Sequence, residues 1–186
     1  MPQPLTYIPK EENLIGMTDH FGMAEFEYCS VNQWLEVWAP ETEIGIAGGW
    51  GSGKSMGGIY RATVLRCLDP ETKKILPHQF SEVLFLHLDD PDHLRSHKFG
   101  WGWIEEAHRC TQKARDTLMS RLRLKGFEET YSIWETWNHN GHDRLYEYYF
   151  NPEGMEILKK KKLKAWTSRR AINASTYENR FLPKSY

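Results

Sequence analysis

One glycine-rich stretch limits the possible folds of this chain more than any other feature of its sequence. Residues 48–55 fit the pattern GxxxxGKS. A short apolar strand is predicted before them over Glu43–Ala47, and a helix after them from Lys54 to Leu68. This order of strand, loop and helix predicts a phosphate-binding loop (P-loop) at the start of a βαβ unit. The eight residues of the loop are Gly48, Gly49, Trp50, Gly51, Ser52, Gly53, Lys54 and Ser55.

The predicted P-loop is suited to holding the phosphates of a nucleotide such as ATP. Its glycines let the backbone curl so that successive amides face phosphate oxygens, and the amino terminus of the next helix adds partial positive charge. Lys54 is expected to reach the β and γ phosphates, and the Ser55 hydroxyl is expected to ligate Mg²⁺. The alternative is a glycine-rich turn that matches by coincidence, which the flanking strand and helix disfavour.

Two adjacent carboxylates, Glu105 and Glu106, end the predicted strand Trp101–Glu105. At this place P-loop ATPases carry a metal-holding acid followed by a catalytic carboxylate. We therefore expect Glu105 to hold Mg²⁺ and Glu106 to orient and deprotonate the attacking water. The first acid is usually Asp, so the side chain of Glu105 is one methylene longer between its backbone and the expected Mg²⁺. The alternative is a solvated pair favoured by a helix dipole, with His108 and Arg109 neutralising part of its charge.

Further elements alternate between helix and strand. Ser30 is expected to cap a helix over Val31–Trp38 that Pro40 ends. The pattern predicts an α/β fold, namely a three-layer P-loop NTPase sandwich with a mainly parallel central sheet, of the additional-strand, catalytic-glutamate type. Residues 1–186 are expected to form one domain, with residues 1–28 as an amino-terminal arm. The other predicted elements are strands at Glu82–Leu88 and Tyr131–Trp137 and helices at Thr111–Leu124 and Arg144–Phe150.

Composition excludes several classes of protein. A chain of 186 residues can bury a core without disulfides or structural metals. Its three scattered cysteines form no CxxC pair, which favours a reducing cytosolic setting. No apolar run of about 18 residues and no signal-peptide pattern is present, so we expect neither a membrane span nor export. The formal charge is −1, so binding to DNA would depend on a local basic patch.

Several short motifs follow one another in a characteristic order. They are Trp103–His108 (WIEEAH), Ser120–Arg123 (SRLR), Thr136–Asn138 (TWN), Asn138–His142 (NHNGH), Leu145–Phe150 (LYEYYF), Ala174–Asn179 (ASTYEN) and Phe181–Pro183 (FLP). From about Gln33 to the end, this order resembles the ATPase domain of the bacteriophage terminase large subunit, the motor that pumps DNA into an empty capsid.

The resemblance implies further site residues and partners. It places an adenine-contacting glutamine at Gln33 and, at Arg95, an arginine that completes the ATP site of a neighbouring subunit. It also implies that Thr136 and Asn138 belong to a motif that couples hydrolysis to movement, with Asn138 near the nucleotide. The implied cofactors are ATP and Mg²⁺. The implied partners are double-stranded DNA, the portal, the small terminase subunit and further copies in a ring, in the cytoplasm of an infected bacterial host.

The chain departs from the family in three places. Trp50 stands where many relatives have a second basic residue. The stretch between Ser55 and Glu105 is short for the additional strand and helix that the family usually has there. The chain also ends where relatives continue into a metal-dependent nuclease, and no later acidic cluster is present, so we expect no nuclease activity from it. The alternatives are therefore a shortened nucleotide-binding remnant or a helicase-like ATPase without packaging activity.

A basic run follows the predicted aromatic helix. Lys159–Lys164, with Arg169 and Arg170 after it, could contact DNA phosphates. A solvated helix face explains the run equally well.

Overall fold

The computed structural model describes residues 10, 18–21, 24–67, 82–125, 131–153, 156 and 168–185. The strands are β1 (Thr18–Phe21), β2 (Ala24–Glu27), β3 (Glu43–Gly48), β4 (Trp101–Glu105), β5 (Ser132–Trp137) and β6 (Arg169–Ala174). The helices are α1 (Val31–Trp38), α2 (Lys54–Cys67), α3 (Gln112–Arg121) and α4 (Arg144–Tyr149). Short 3₁₀ helices cover Pro91–Ser96, Ala107–Arg109 and Thr176–Glu178.

The central sheet is parallel and has the strand order β4-β5-β3-β6. Because its strands share one direction, their carboxyl ends lie at one edge, where α/β proteins bind ligands. The P-loop follows β3 at this edge, with β5 and β4 on one side and β6 on the other. Strands β1 and β2 form a separate antiparallel pair within the segment predicted to be an arm.

The helices cover both faces of the sheet, so the predicted three-layer α/β fold is confirmed. Consecutive β5 residues show the two faces, since Ile133 and Trp134 are both fully buried but belong to different apolar clusters. Ile133 packs with Leu118 of α3 and Leu145 of α4. Trp134 lies in the other cluster, against which Leu35 of α1 packs. The alternation of strand side chains thus buries one helix layer on each side.

Local sequence signals explain where several helices begin. The Ser30 hydroxyl accepts from the backbone N–H of Gln33 and caps α1, as predicted. Thr111 caps α3 through the N–H of Ala114, so this helix begins one residue later than predicted. It also ends earlier, at Arg121, because Leu122 and the residues after it leave helical geometry. The apolar residues Ala114, Leu118 and Leu122, spaced four apart in the sequence, are nevertheless all buried.

The strand predicted at Glu82–Leu88 is wrong. The segment has no ladder partner among the described residues, and β5 is the only described strand that pairs with β4. A cavity of about 1060 Å³ lies between the segment and β4. The Phe85 side chain is 90% exposed. Apolar sequence alone does not make a strand, because a strand also needs a neighbour for its backbone hydrogen bonds.

Strand β6 was not predicted from the sequence. Its first two positions are half-buried arginines, and only Ile172 and Ala174 are buried among its six residues. Two arginines hold its beginning: Arg169 pairs with Glu43 at 3.2 Å, and Arg170 pairs with Glu41 at 2.6 Å. These partners lie far away in the sequence, so a local pattern gave no signal for the strand.

A buried ionic network links α3 to the sheet. The Arg115 guanidinium lies 2.9 Å from a carboxylate oxygen of Glu43 and 2.7 Å from one of Glu135. The Tyr149 hydroxyl donates to the same oxygen of Glu135 at 2.7 Å. All three charged side chains are almost completely buried. Because buried charges need partners, this network holds α3, β3 and β5 in one arrangement.

Within the described ranges, no helix combines the length and the apolar character needed to cross a membrane.

Candidate nucleotide-binding site

The P-loop has the backbone geometry that its glycines predict. Gly51 and Gly53 adopt φ angles of 70° and 88°, in the left-handed region where a side chain is strained. Gly53 also has no room for one, because a Cβ there would lie 2.4 Å from the Sγ of Cys29. A Cβ at Gly49 would lie 2.4 Å from Oγ1 of Thr176. The loop is therefore packed closely against its surroundings and needs glycine at these positions.

The segment after β6 binds the outer part of the P-loop. The Thr176 hydroxyl donates to the carbonyl of Trp50, and the Asn179 amide donates to the carbonyl of Gly51, both at 2.6 Å. A capping box between Ser175 and Glu178 fixes this short 3₁₀ helix. We call residues 175–181 the carboxyl-terminal strap. Its motif, Ala174–Asn179, is visible in the sequence, but its position at the P-loop is not.

Lys54 is held at the centre of the site. Its Nζ donates to Oδ1 of Asn138 at 2.8 Å and to the carbonyl of Gly49 at 3.2 Å. Burial lowers the pKa of Lys54, and the carboxylates of Glu105 and Glu106 oppose this shift. The ammonium group is thus positioned between the loop and the end of β5.

A second chain of contacts joins the P-loop helix to the acid strand. The Ser55 hydroxyl donates to one oxygen of Glu105, and the Thr136 hydroxyl donates to the other. The indole N–H of Trp103 donates to Oγ1 of Thr136 at 3.0 Å. The structure therefore brings together Ser55 and Glu105, whose expected roles as Mg²⁺ ligands stay predictions, and adds Thr136 as a second partner of the carboxylate.

The donor set at this point suits Mg²⁺. A hydroxyl and a carboxylate oxygen are hard ligands, and Mg²⁺ commonly takes one or two carboxylates together with phosphate oxygens and water. The described residues contain no group of three or more His, Cys, Asp or Glu side chains that could hold a metal by themselves. Ser55 and Glu105 would therefore hold the ion together with nucleotide phosphates and water.

Glu106 has an unusual backbone conformation. It is the only residue other than glycine with positive φ in the described ranges, at φ 52° and ψ 45°. One of its carboxylate oxygens lies 3.4 Å from Nδ1 of His108. A left-handed conformation costs a residue with a side chain about 1–2 kcal/mol, and such strain is concentrated at functional sites. Glu106 therefore has a different side-chain partner from Glu105, which contacts Ser55 and Thr136.

Gln33 contacts the P-loop at Gly53 and is almost completely buried. Its Oε1 accepts from the backbone N–H of Cys29, and its Nε2 donates to the carbonyl of Gly53, both at 2.8 Å. The adenine contact expected of Gln33 stays a prediction. In this structure both ends of the amide are engaged by the protein, so Gln33 supports the loop.

Arg95 lies apart from these contacts. It belongs to the 3₁₀ helix Pro91–Ser96, its side chain is 62% exposed, and it pairs with Asp92 at 3.0 Å. Its role as an arginine that acts on a neighbouring subunit stays a prediction. Of the basic residues considered for DNA, Lys159–Lys164 lie outside the described residues. Arg169 and Arg170 are engaged in ion pairs with glutamates.

Fold and site together define a P-loop NTPase-like α/β protein. A family model described as phage terminase large subunit matches residues 62–186, about two-thirds of the chain. The chain therefore belongs to the phage terminase large subunit family. The match includes the acid pair and Asn138 but begins after the P-loop, so the loop geometry is a separate observation. Comparisons with curated proteins and with solved structures gave no significant match.

Proposed function

We propose that this chain binds and hydrolyses ATP with Mg²⁺ as the motor domain of a phage terminase large subunit, driving double-stranded DNA into the procapsid. The observation that carries the proposal is the pair of contacts from the P-loop helix to the neighbouring strands. Lys54 contacts Asn138 after β5, and Ser55 contacts Glu105 at the end of β4. The phosphate-binding and acidic parts of an ATPase site thus meet at one edge of the sheet.

Each residue has a distinct role in the proposed reaction. The P-loop amides and Lys54 bind the β and γ phosphates. Bound Mg²⁺, held by Ser55 and Glu105, would neutralise charge that develops on the phosphates. Glu106 orients the attacking water and accepts its proton. The contacts support this division, because Glu105 is bound by Ser55 and Thr136 whereas Glu106 lies beside His108.

Strand β5 is the proposed link between hydrolysis and movement. Thr136 contacts the metal-holding acid, and Asn138 contacts the P-loop lysine, so two residues of one motif are in contact with both halves of the site. Loss of the γ phosphate would therefore alter the Thr136–Glu105 contact and the Asn138–Lys54 contact at the same time. The aromatic helix α4 follows β5 and packs on it through Tyr149 and Trp137, whose ring centroids are 5.6 Å apart. A shift of β5 would therefore be transmitted to α4.

The assembly proposed for packaging follows from the family. Arg95 is exposed and lies away from the Lys54 contacts, so we assign it to the ATP site of a neighbouring copy in a ring. The proposed partners are double-stranded DNA, the portal and the small terminase subunit, in the cytoplasm of the infected host.

One observation favours a second candidate, a nucleotide-binding remnant without motor activity. The segment Glu82–Leu88 does not join the sheet beside β4, where a further strand would complete the ATPase core. A steady-state ATPase assay with no DNA, linear double-stranded DNA or single-stranded DNA separates the candidates. A packaging motor predicts stimulation by double-stranded DNA, and a helicase-like ATPase predicts stimulation by single strands. Nucleotide binding without turnover under all three conditions would support the remnant and contradict the motor.

A further inference from the structure

The proposed site accounts for the phosphates of the nucleotide. The strand order indicates on which side of the P-loop its nucleobase would lie. Ser55 and Lys54 face Glu105 and Asn138, which belong to the β4 and β5 side of the P-loop. Hydrolysis removes the γ phosphate, so this side is the γ end of a bound triphosphate. The ribose and base must then leave the loop at another side, and β6 with the carboxyl-terminal strap lies opposite.

The strap carries two exposed aromatic side chains, Tyr177 and Phe181, of which Phe181 is 54% exposed and has the Arg180 guanidinium 4.8 Å from its ring centroid. Tyr177 is 96% exposed, although its neighbours on both sides are fixed to the P-loop. Thr176 donates to the carbonyl of Trp50, and Asn179 donates to that of Gly51. The backbone of Tyr177 is itself held, since its N–H donates to the Ser175 hydroxyl at 3.2 Å. A rigid backbone beside the P-loop therefore carries an aromatic ring that is open to solvent.

The polar residues nearby are already engaged. Both ends of the Gln33 amide are hydrogen-bonded to the protein, as are both ends of the Asn179 amide, whose Oδ1 accepts from the N–H of Phe181 at 3.0 Å. Arg180 pairs with Glu27 at 2.8 Å. These groups cannot read the edge of a base without giving up contacts that support the loop. An aromatic face remains available.

We propose that Tyr177 is the stacking surface for the nucleobase of the bound nucleotide. This inference rests on the proposed nucleotide-binding function and assigns its base-binding residue to the strap and not to Gln33. Because every base has a π face, stacking recognises bases with little discrimination. The site should therefore accept nucleoside triphosphates in general and bind ATP and GTP with similar affinity.

The test compares a nucleotide with its phosphates alone. Binding of the non-hydrolysable analogue AMP-PNP and of inorganic tripolyphosphate, each with Mg²⁺, is measured by calorimetry for the parent chain, Tyr177→Ala and Tyr177→Phe. Base stacking predicts that Tyr177→Ala loses about 10- to 100-fold in affinity for AMP-PNP. Its affinity for tripolyphosphate should equal the parent's, and Tyr177→Phe should behave as the parent. Phe85→Ala, which removes a 90% exposed aromatic side chain beside the opposite sheet edge, is the matched control.

The outcomes separate this inference from the function on which it rests. If the parent binds tripolyphosphate and Tyr177→Ala keeps full affinity for AMP-PNP, the stacking site is wrong and the phosphate site stands. Equal losses for both ligands would also contradict it, because they would show damage to the P-loop. If the parent binds neither ligand, the proposed function fails together with the inference. Because Tyr177 is exposed, far-UV circular dichroism and thermal unfolding should be unchanged in its variants.

Discussion

The Nζ atom of Lys54 lies 2.8 Å from Oδ1 of Asn138, so the lysine of the P-loop is bound by the residue that follows the neighbouring strand β5. This contact joins two chain segments that are 84 positions apart. It holds the lysine in a defined place at the carboxyl edge of the sheet. In the proposed function a bound γ phosphate would compete with Asn138 for the same ammonium group, so we propose that Asn138 detects hydrolysis.

Replacing Asn138 with Ala should therefore affect turnover more than binding. The lysine and the loop amides remain to bind phosphates, but the polar group beside the γ phosphate is lost. Removing one such group commonly lowers kcat about 100-fold or more. Measurements of kcat and of AMP-PNP affinity show whether turnover falls more than binding. Asn140→Ala is the control, because Asn140 is exposed and lies two positions further on. Equal loss in both variants would contradict a specific role for Asn138.

The two acidic residues should respond differently to loss of charge. Glu106→Gln should bind ATP normally and lose about 100- to 10,000-fold in hydrolysis, because an amide can hold water but cannot accept its proton. Glu105→Gln should instead raise the Mg²⁺ concentration needed for half-maximal activity. Titrations of ATPase rate against Mg²⁺ distinguish the two, with exposed Glu153→Gln as the control. If Glu105→Gln stopped turnover without changing Mg²⁺ dependence, the assigned roles would be reversed.

Much of the site could be predicted because its signals are local. The spacing within residues 48–55 and the position of Glu105 after an apolar strand each follow from neighbouring residues. The strand β6 and the strap gave no such signal, since their partners at Glu41, Glu43 and the P-loop lie far away in the sequence. The error at Glu82–Leu88 has the opposite cause. Its composition fits a strand, but pairing depends on a neighbour that composition does not reveal.

The buried network around Arg115 should be a major contributor to stability. Arg115→Ala leaves Glu43 and Glu135 buried without their shared partner, which should lower the free energy of unfolding by about 3–5 kcal/mol. Chemical denaturation measures the change. Arg95→Ala removes an exposed pair with Asp92 and should change the same quantity by less than about 1 kcal/mol. Similar small losses in both variants would show that the network does not stabilise the fold.

The proposed action of Arg95 on a neighbouring subunit predicts complementation. Arg95→Ala and Glu106→Gln should each be inactive alone, whereas a mixed assembly contains sites with both groups intact and should recover activity. Loss of such an arginine typically costs about 10³- to 10⁵-fold in rate. Rates are measured on mixtures under assembling conditions, and Asp92→Ala, which frees the arginine but keeps it, should retain the parent rate. An Arg95→Ala chain that is as active as the parent would make Arg95 a surface residue.

In the proposed function, Lys54 and the P-loop bind ATP and take part in its hydrolysis. The most direct measurement compares AMP-PNP affinity and steady-state ATPase rate, with Mg²⁺ and linear double-stranded DNA, between the purified parent chain and Lys54→Ala. We expect measurable binding and DNA-stimulated turnover in the parent and loss of one or both in Lys54→Ala, because the variant lacks the ammonium group that contacts Asn138. Unchanged affinity and unchanged rate in Lys54→Ala would contradict the assignment.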